Sequence, residues 1–188
     1  MLKNFKKSES GFTLSELIIT LGITVLIFSL VISAYILSQQ AFRKSYFKYE
    51  LNQNSRVFVD RLTREIRQTP KIITTLSEAL EGAGSEIMFQ NGHTSEKISY
   101  IKYYLAGCDL KRQEICYYFS DPATCVIWNT TDGLGNPPQE NIMENIVAEY
   151  IESLKFYNGG GNVIDVEAVF LKNGERIYNH SKISGRNL

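Results

Sequence analysis

From Leu17 to Leu37 the chain carries no charged side chain, and Leu, Ile, Val and Phe dominate. Counted from Phe12, that stretch is about 26 residues, or roughly 39 Å as an α-helix. It exceeds the ~30 Å hydrocarbon layer of a bilayer, so it is long enough to span one with some tilt. Ahead of it lies a short basic segment, Met1 to Ser10, with Lys3, Lys6 and Lys7 against one acid, Glu9. The one discordant residue is Glu16, a carboxylate in the first turns of the apolar helix. At a helix centre in lipid an acid costs on the order of 2.5–3.5 kcal/mol; nearer the end the cost is smaller, yet the group still calls for a cation. The nearest is the amine that a cut between Gly11 and Phe12 would create, one helical turn away on the same chain or on a staggered neighbour. A signal-anchor helix with an acid tolerated at the membrane surface is the competing reading. A removable secretory signal fits less well, because its apolar core runs only about 7–15 residues.

The order of these parts, a basic leader, then Gly11-Phe12-Thr13-Leu14-Ser15-Glu16, then an apolar helix, resembles the N-terminus of the type IV pilin-like superfamily. Pilins, type II secretion pseudopilins and competence pseudopilins belong to it. The resemblance implies that a prepilin peptidase cuts after Gly11 and that the new amine of Phe12 is methylated. It also implies that Glu16 pairs with the Phe12 amine of an adjacent subunit during filament assembly. Ser15 departs from the pattern, where a larger apolar residue is common. The implied orientation puts the leader in the cytoplasm and the carboxyl-terminal part outside. Counting basic residues alone barely discriminates, since Arg43, Lys44 and Lys48 follow the span.

Composition agrees with one modest domain beside a membrane helix: 188 residues, 44% hydrophobic, formal net charge zero. Loss of a leader holding Lys3, Lys6, Lys7 and Glu9 would leave 17 basic and 19 acidic residues, net −2. A general role on nucleic acid or anionic lipid would favour a clear basic excess.

Past the span, Phe42, Tyr46, Phe47 and Tyr49 cluster where an interfacial aromatic belt would lie. Phe47, Leu51, Phe58, Leu62 and Ile66 then fall near one helical face, with Arg56, Asp60, Arg64 and Arg67 elsewhere. Pro70 disfavours helix at Thr69 and stops the run. Within the span, Gly22, Ser29, Ser33 and Ala34 are small enough for close helix approach. Ile72 and Ile73 open a less legible stretch with a short helical turn or loop over Ser77–Gly84, a strand at Ile87–Phe89 and a turn at Asn91-Gly92. From Ile98 the pattern becomes β: Ile98–Leu105 and Ile115–Phe119, joined by a wide loop over Gly107–Gln113, and a further strand at Cys125–Trp128. Asn129–Glu140 reads as a polar loop. Ser153–Tyr157, Val163–Leu171 and Arg176–Ile183 are later strands, the last two joined at Asn173-Gly174, a strong hairpin signal. Ile98–Leu110, Ile146–Tyr157 and the final hairpin add a narrower resemblance to the minor pseudopilin of the J type and related minor pilins.

Few residues suggest further chemistry. Cys108, Cys116 and Cys125 fall outside the membrane in the implied orientation, where disulfides persist. Three cysteines allow at most one intramolecular pair: Cys108 with Cys116 would close the hairpin loop, Cys116 with Cys125 would tie two strands, and all three reduced is the remaining alternative. Their spacing does not suit a zinc site. Asp132, Asn136 and Glu140 carry oxygen ligands around a Gly-rich loop but lack calcium-loop spacing, and surface turn chemistry accounts for them. His93 and His180 are expected to be solvated. Asn129-Thr130-Thr131 matches a glycosylation acceptor, a chemistry out of place in the bacterial setting the pilin resemblance implies. No nucleophile elbow, phosphate loop or metalloprotease motif stands out.

The expectation is an α+β protein: a leader over 1–11, a long helix over 12–69 that spans a membrane at about 12–37, and a globular antiparallel β domain over 70–188. The helix has a transmembrane inner half and an amphipathic outer half packed on the sheet. The expected function is that of a minor pilin or pseudopilin of a type IV pilus or type II secretion-type filament, not an enzyme, and without cofactor or metal. Its expected partners are prepilin peptidase, the bilayer before assembly, and other pilin or pseudopilin subunits in a hetero-oligomer. No small-molecule substrate is expected, and nucleic acid is disfavoured by the charge. It is expected in the cytoplasmic membrane as a single-pass protein, then in a surface or periplasmic filament. The alternative is a tip subunit that recognises a surface, DNA or a secreted cargo.

Overall fold

Helix α1 runs without a break from Leu14 to Gln68 in a computed structural model that describes residues 11–93 and 97–186. Seven strands follow: β1 Glu86–Gln90, β2 Tyr100–Ala106, β3 Asp109–Tyr118, β4 Gln139–Ala148, β5 Ile151–Gly160, β6 Val163–Lys172 and β7 Glu175–Ser184. They form two antiparallel sheets in place of the single sheet expected, one of order β1-β2-β3-β4 and one of order β5-β6-β7. The class is α+β. The chain divides into two units, one ending at Ser45 and one running from Tyr46.

In the unit that ends at Ser45, the described side chains of α1 are all exposed, including Leu14, Ile18, Leu26, Phe28 and Leu37. Its hydroxyls turn back onto their own helix: Thr24 donates to the Thr20 carbonyl at 2.7 Å and Ser33 to the Ser29 carbonyl at 2.8 Å. Thr20 and Ser29 do the same to Leu17 and Leu26. These four hydroxyls therefore ask for no water, a condition that suits a lipid-facing helix.

In the unit from Tyr46, the expected apolar stripe is the core from Leu51 onward, while Phe47 is half-buried and outside it. Leu51, Phe58, Leu62 and Ile66 are wholly buried and join one cluster with residues of both sheets, among them Phe89, Tyr103, Phe156, Val166 and Phe170. Each such side chain contributes about 1.5–3 kcal/mol on burial. The stripe is broader than the apolar residues alone suggest, because Ser55 and Glu65 lie on it and are also buried. Both have partners. Ser55 receives a hydrogen bond from the Asn179 amide at 2.9 Å. Glu65 accepts from Arg112 Nε at 3.0 Å and from the Tyr103 hydroxyl at 2.6 Å, both groups coming from the adjacent strands β2 and β3. Burial, then the Glu65 carboxylate, holds the Tyr103 phenol far above its ordinary range. Helix α1 ends where Pro70 predicts, with the Thr69 hydroxyl donating to the Gln90 carbonyl at 2.6 Å.

Several local expectations are corrected. β3 is twice the expected length, and the wide loop over Gly107–Gln113 is a two-residue turn, with Ala106 paired to Asp109. Gly107 at φ 65° supplies the left-handed first position that such a turn needs. The expected turn at Asn91-Gly92 is there, closed by the His93 N–H donating to Asn91 Oδ1 at 3.0 Å. Gly92 is there because a Cβ would sit 1.8 Å from the Gln68 carbonyl oxygen, which lets this loop press against the end of α1. β4 falls partly where a polar loop was expected; it is exposed over most of its length, so the alternation that betrays a strand has no burial behind it. Cys125–Trp128 is not a strand but makes a single bridge, Val126 to Tyr117. The Asn173-Gly174 hairpin is as expected, with φ of 50° and 84°.

Replacing Glu65 by Ala leaves the Arg112 guanidinium buried without its main counter-charge, a change that costs about 3–5 kcal/mol. Chemical unfolding of Glu65→Ala should show that loss. The double variant Glu65→Met/Arg112→Met should recover most of it. Arg56→Ala, which removes an exposed pair with Asp60, should move stability by no more than about 0.5 kcal/mol.

Candidate processing and assembly site

Gly11 to Glu16, the candidate processing and assembly residues, lie at the start of α1. Gly11, Phe12 and Thr13 precede the first helical residue, Leu14, in non-helical backbone. Phe12 is 79% exposed, and among the described residues no atom beyond the chain neighbours lies within 4 Å of the position a Gly11 side chain would take. The peptide bond between them is thus open to an enzyme. The leader itself, residues 1–10, lies outside the described residues.

Thr13 and Glu16 form a reciprocal cap. The Thr13 N–H donates to Glu16 Oε2 at 2.9 Å, the Thr13 hydroxyl to the same oxygen at 2.8 Å, and the Glu16 N–H to the Thr13 hydroxyl at 3.4 Å. This is the Ser/Thr-x-x-Glu capping box, which satisfies helix N–H groups that have no carbonyl partner. The Thr-x-x-Glu spacing signals this cap in the sequence, a role for Thr13 that the charge of Glu16 alone does not reveal. The cap gives Glu16 a local structural role. It also engages only Oε2, so Oε1 faces outward without a partner among the described residues.

After Glu16 the next charge is Arg43, and α1 is long and apolar enough over this region to cross a membrane. Scans against family models and against curated proteins find no match to this chain.

The remaining candidates separate. Cys116 and Cys125 form a disulfide with Cα atoms 5.3 Å apart, while Cys108 is free and exposed in the β2–β3 turn. The alternative pairing of Cys108 with Cys116 is therefore not the one formed. The bond ties the segment after β3 back to that strand beside the Val126 N–H to Tyr117 carbonyl bond of 2.7 Å. Burial, then the Glu140 carboxylate, raises the Tyr117 phenol to about 12.

Asp132 is engaged by its own loop. It accepts from the Leu134 and Asn136 N–H groups, both at 2.8 Å, and from the Asn136 side-chain amide at 2.9 Å. The Asn136 side chain leads in holding its pKa below the usual value. His180 is half exposed rather than simply solvated: its Nε2 lies 2.8 Å from Oδ1 of the buried Asp165. Among the described residues no three His, Cys, Asp or Glu side chains come together as metal ligands would.

The disulfide closes a short loop, and the chain-entropy relation gives it about 2.5 kcal/mol. Cys116→Ser/Cys125→Ser should lose about that much in denaturant titrations, with the core signals of Phe89 and Phe156 unchanged by NMR. Cys108→Ser should leave stability within about 0.5 kcal/mol of the parent.

Proposed function

We propose that this chain is a minor subunit of a type IV pilin-like filament, cut after Gly11, methylated at Phe12 and held in the cytoplasmic membrane by the apolar part of α1 until assembly. The observation that carries this reading is the placement of Gly11-Phe12-Thr13-Leu14-Ser15-Glu16 at the exact start of a helix that is uncharged from Leu17 to Phe42. A signal anchor explains the apolar run but gives no reason for an exposed Gly–Phe junction one turn before an acid. The family reading gives reasons for both.

Glu16 would meet the Phe12 amine of a neighbouring subunit through Oε1 while Oε2 keeps its bonds to Thr13. In lipid or in a bundle of apolar helices a lone carboxylate is costly, and an ammonium partner offsets that cost. The outer strands would then face prepared neighbours of a different kind, in a hetero-complex at low abundance near the filament tip. Type IV pilus, secretion pseudopilus and DNA-uptake filament all accommodate this subunit.

The decisive comparison is Glu16→Gln beside Glu16→Ala. Gln retains an oxygen that accepts the Thr13 N–H, so the cap survives while the charge is lost. Charge pairing predicts that both variants insert in the membrane and are cut normally, yet incorporate into sheared filaments at least tenfold less than the parent. Normal incorporation of Glu16→Gln would reduce Glu16 to a helix cap.

A further inference from the structure

A cleft of about 1270 Å³ lies between the end of α1 and the segment that leaves β7. Arg64 and Arg67 reach it from α1, His93 from the loop after β1, and Ser184 and Arg186 from the carboxyl-terminal side. All three arginines are exposed, and none has a carboxylate partner among the described residues. The acid on its wall, Asp60, is within 3.8 Å of Arg56. A chain with formal net charge zero has thus gathered three unpaired guanidiniums around one depression.

Two of them have a partial local explanation: Arg64 and Arg67 lie near the carboxyl end of α1, where cations oppose the carbonyl dipoles. Arg186 does not belong to that helix. The loop that brings His93 depends on Gly92, since any side chain there would strike the Gln68 carbonyl. The convergence is therefore built from three separate segments of the unit that begins at Tyr46.

The lining selects the ligand class. Among the described residues it contains no Phe, Tyr or Trp on which a base would stack, its one ring being the His93 imidazole, and no aliphatic residue to anchor a protein partner. What remains is guanidinium chemistry, which grips phosphate with paired, parallel N–H donors. The volume is far larger than one phosphate requires. We infer that this cleft binds a chain of phosphate groups, a polyphosphate or a phosphodiester backbone, by charge and without reading bases. This inference does not depend on the pilin-like reading.

The test is calorimetric titration of the full chain in neutral detergent at about 50 mM salt. The probes are inorganic tripolyphosphate, a ten-residue oligothymidylate, and an abasic phosphodiester of the same length. Saturable binding is expected for tripolyphosphate or for both oligomers alike, weakened several-fold at about 200 mM salt by screening. The variant Arg64→Gln/Arg67→Gln/Arg186→Gln should bind at least tenfold more weakly. Arg176→Gln, which lies on the exposed face of β7 and pairs with Glu152, should bind as the parent does. Tighter binding of the oligomers names a phosphodiester strand as the source, and tighter binding of tripolyphosphate names a short polyphosphate. The inference is overturned by no saturable binding of any probe, by equal loss in Arg176→Gln, or by binding of oligothymidylate without the abasic oligomer. Unchanged circular dichroism of the triple variant ensures that a loss of binding reports the cleft.

Discussion

Apolar surface that the chain does not cover for itself is the constraint on which everything else depends. From Leu14 to Leu37 more than a dozen large apolar side chains are exposed on α1. At about 1.5–3 kcal/mol each, leaving them in water costs on the order of 20–40 kcal/mol. That exceeds the whole stability of an ordinary domain, about 5–15 kcal/mol. That much uncovered apolar surface is what a membrane-spanning helix presents, and α1 is long and apolar enough to be one. The same hydroxyls that would bind water in a soluble helix, Thr24 and Ser33, are bonded to the helix's own carbonyls. Lipid or the apolar faces of other helices are the surroundings in which this part of the chain is stable.

In the unit from Tyr46 the problem is reversed, and α1 is fully committed. Apolar burial by Leu51, Phe58, Leu62 and Ile66 is non-directional and would tolerate a small slide of the helix. The Glu65, Arg112 and Tyr103 cluster would not, because both oxygens of a buried carboxylate must meet donors fixed on neighbouring strands. The pair adds little net energy over an apolar substitute, but it makes other registers costly. Lys172 performs a related task nearer the start of this unit. It pairs with Glu50 and lies 3.9 Å from the centre of the Tyr150 ring, and Tyr150 adopts the left-handed backbone that links β4 to β5.

Legibility in the sequence followed how strongly a residue's period was tied to burial. The helix and its stop at Pro70, the core stripe and the last hairpin were readable because Phe58, Leu62 and Ile66 repeat at the helical period and Asn173-Gly174 demands one turn. β4 was not, since Ile142 and Met143 are neighbours followed by the polar pair Glu144-Asn145, which breaks any two-residue alternation, and neither they nor Ile146 is buried. The strands pair in chain order, and the division into two sheets falls at the two-residue link between β4 and β5, where Tyr150 takes a left-handed φ of 66° that its side chain does not announce. Glu65 and Arg112 were invisible because a charged residue on an apolar stripe reads as an interruption until its partner, far away in the chain, is known. At the candidate site, Gly11, Phe12 and Glu16 were legible from motif and charge. Thr13 was legible too, by its spacing from Glu16, and required only attention to helix capping rather than to the membrane.

The account stands or falls on what happens between Gly11 and Phe12. Intact-mass spectrometry of the protein extracted from membranes of a host with an active prepilin peptidase is the direct measurement. The account predicts a chain that starts at Phe12 and carries one added methyl group on its amine. A mature protein that still begins at Met1 would contradict it, and would leave α1 as a signal anchor with a capped amino-terminal turn.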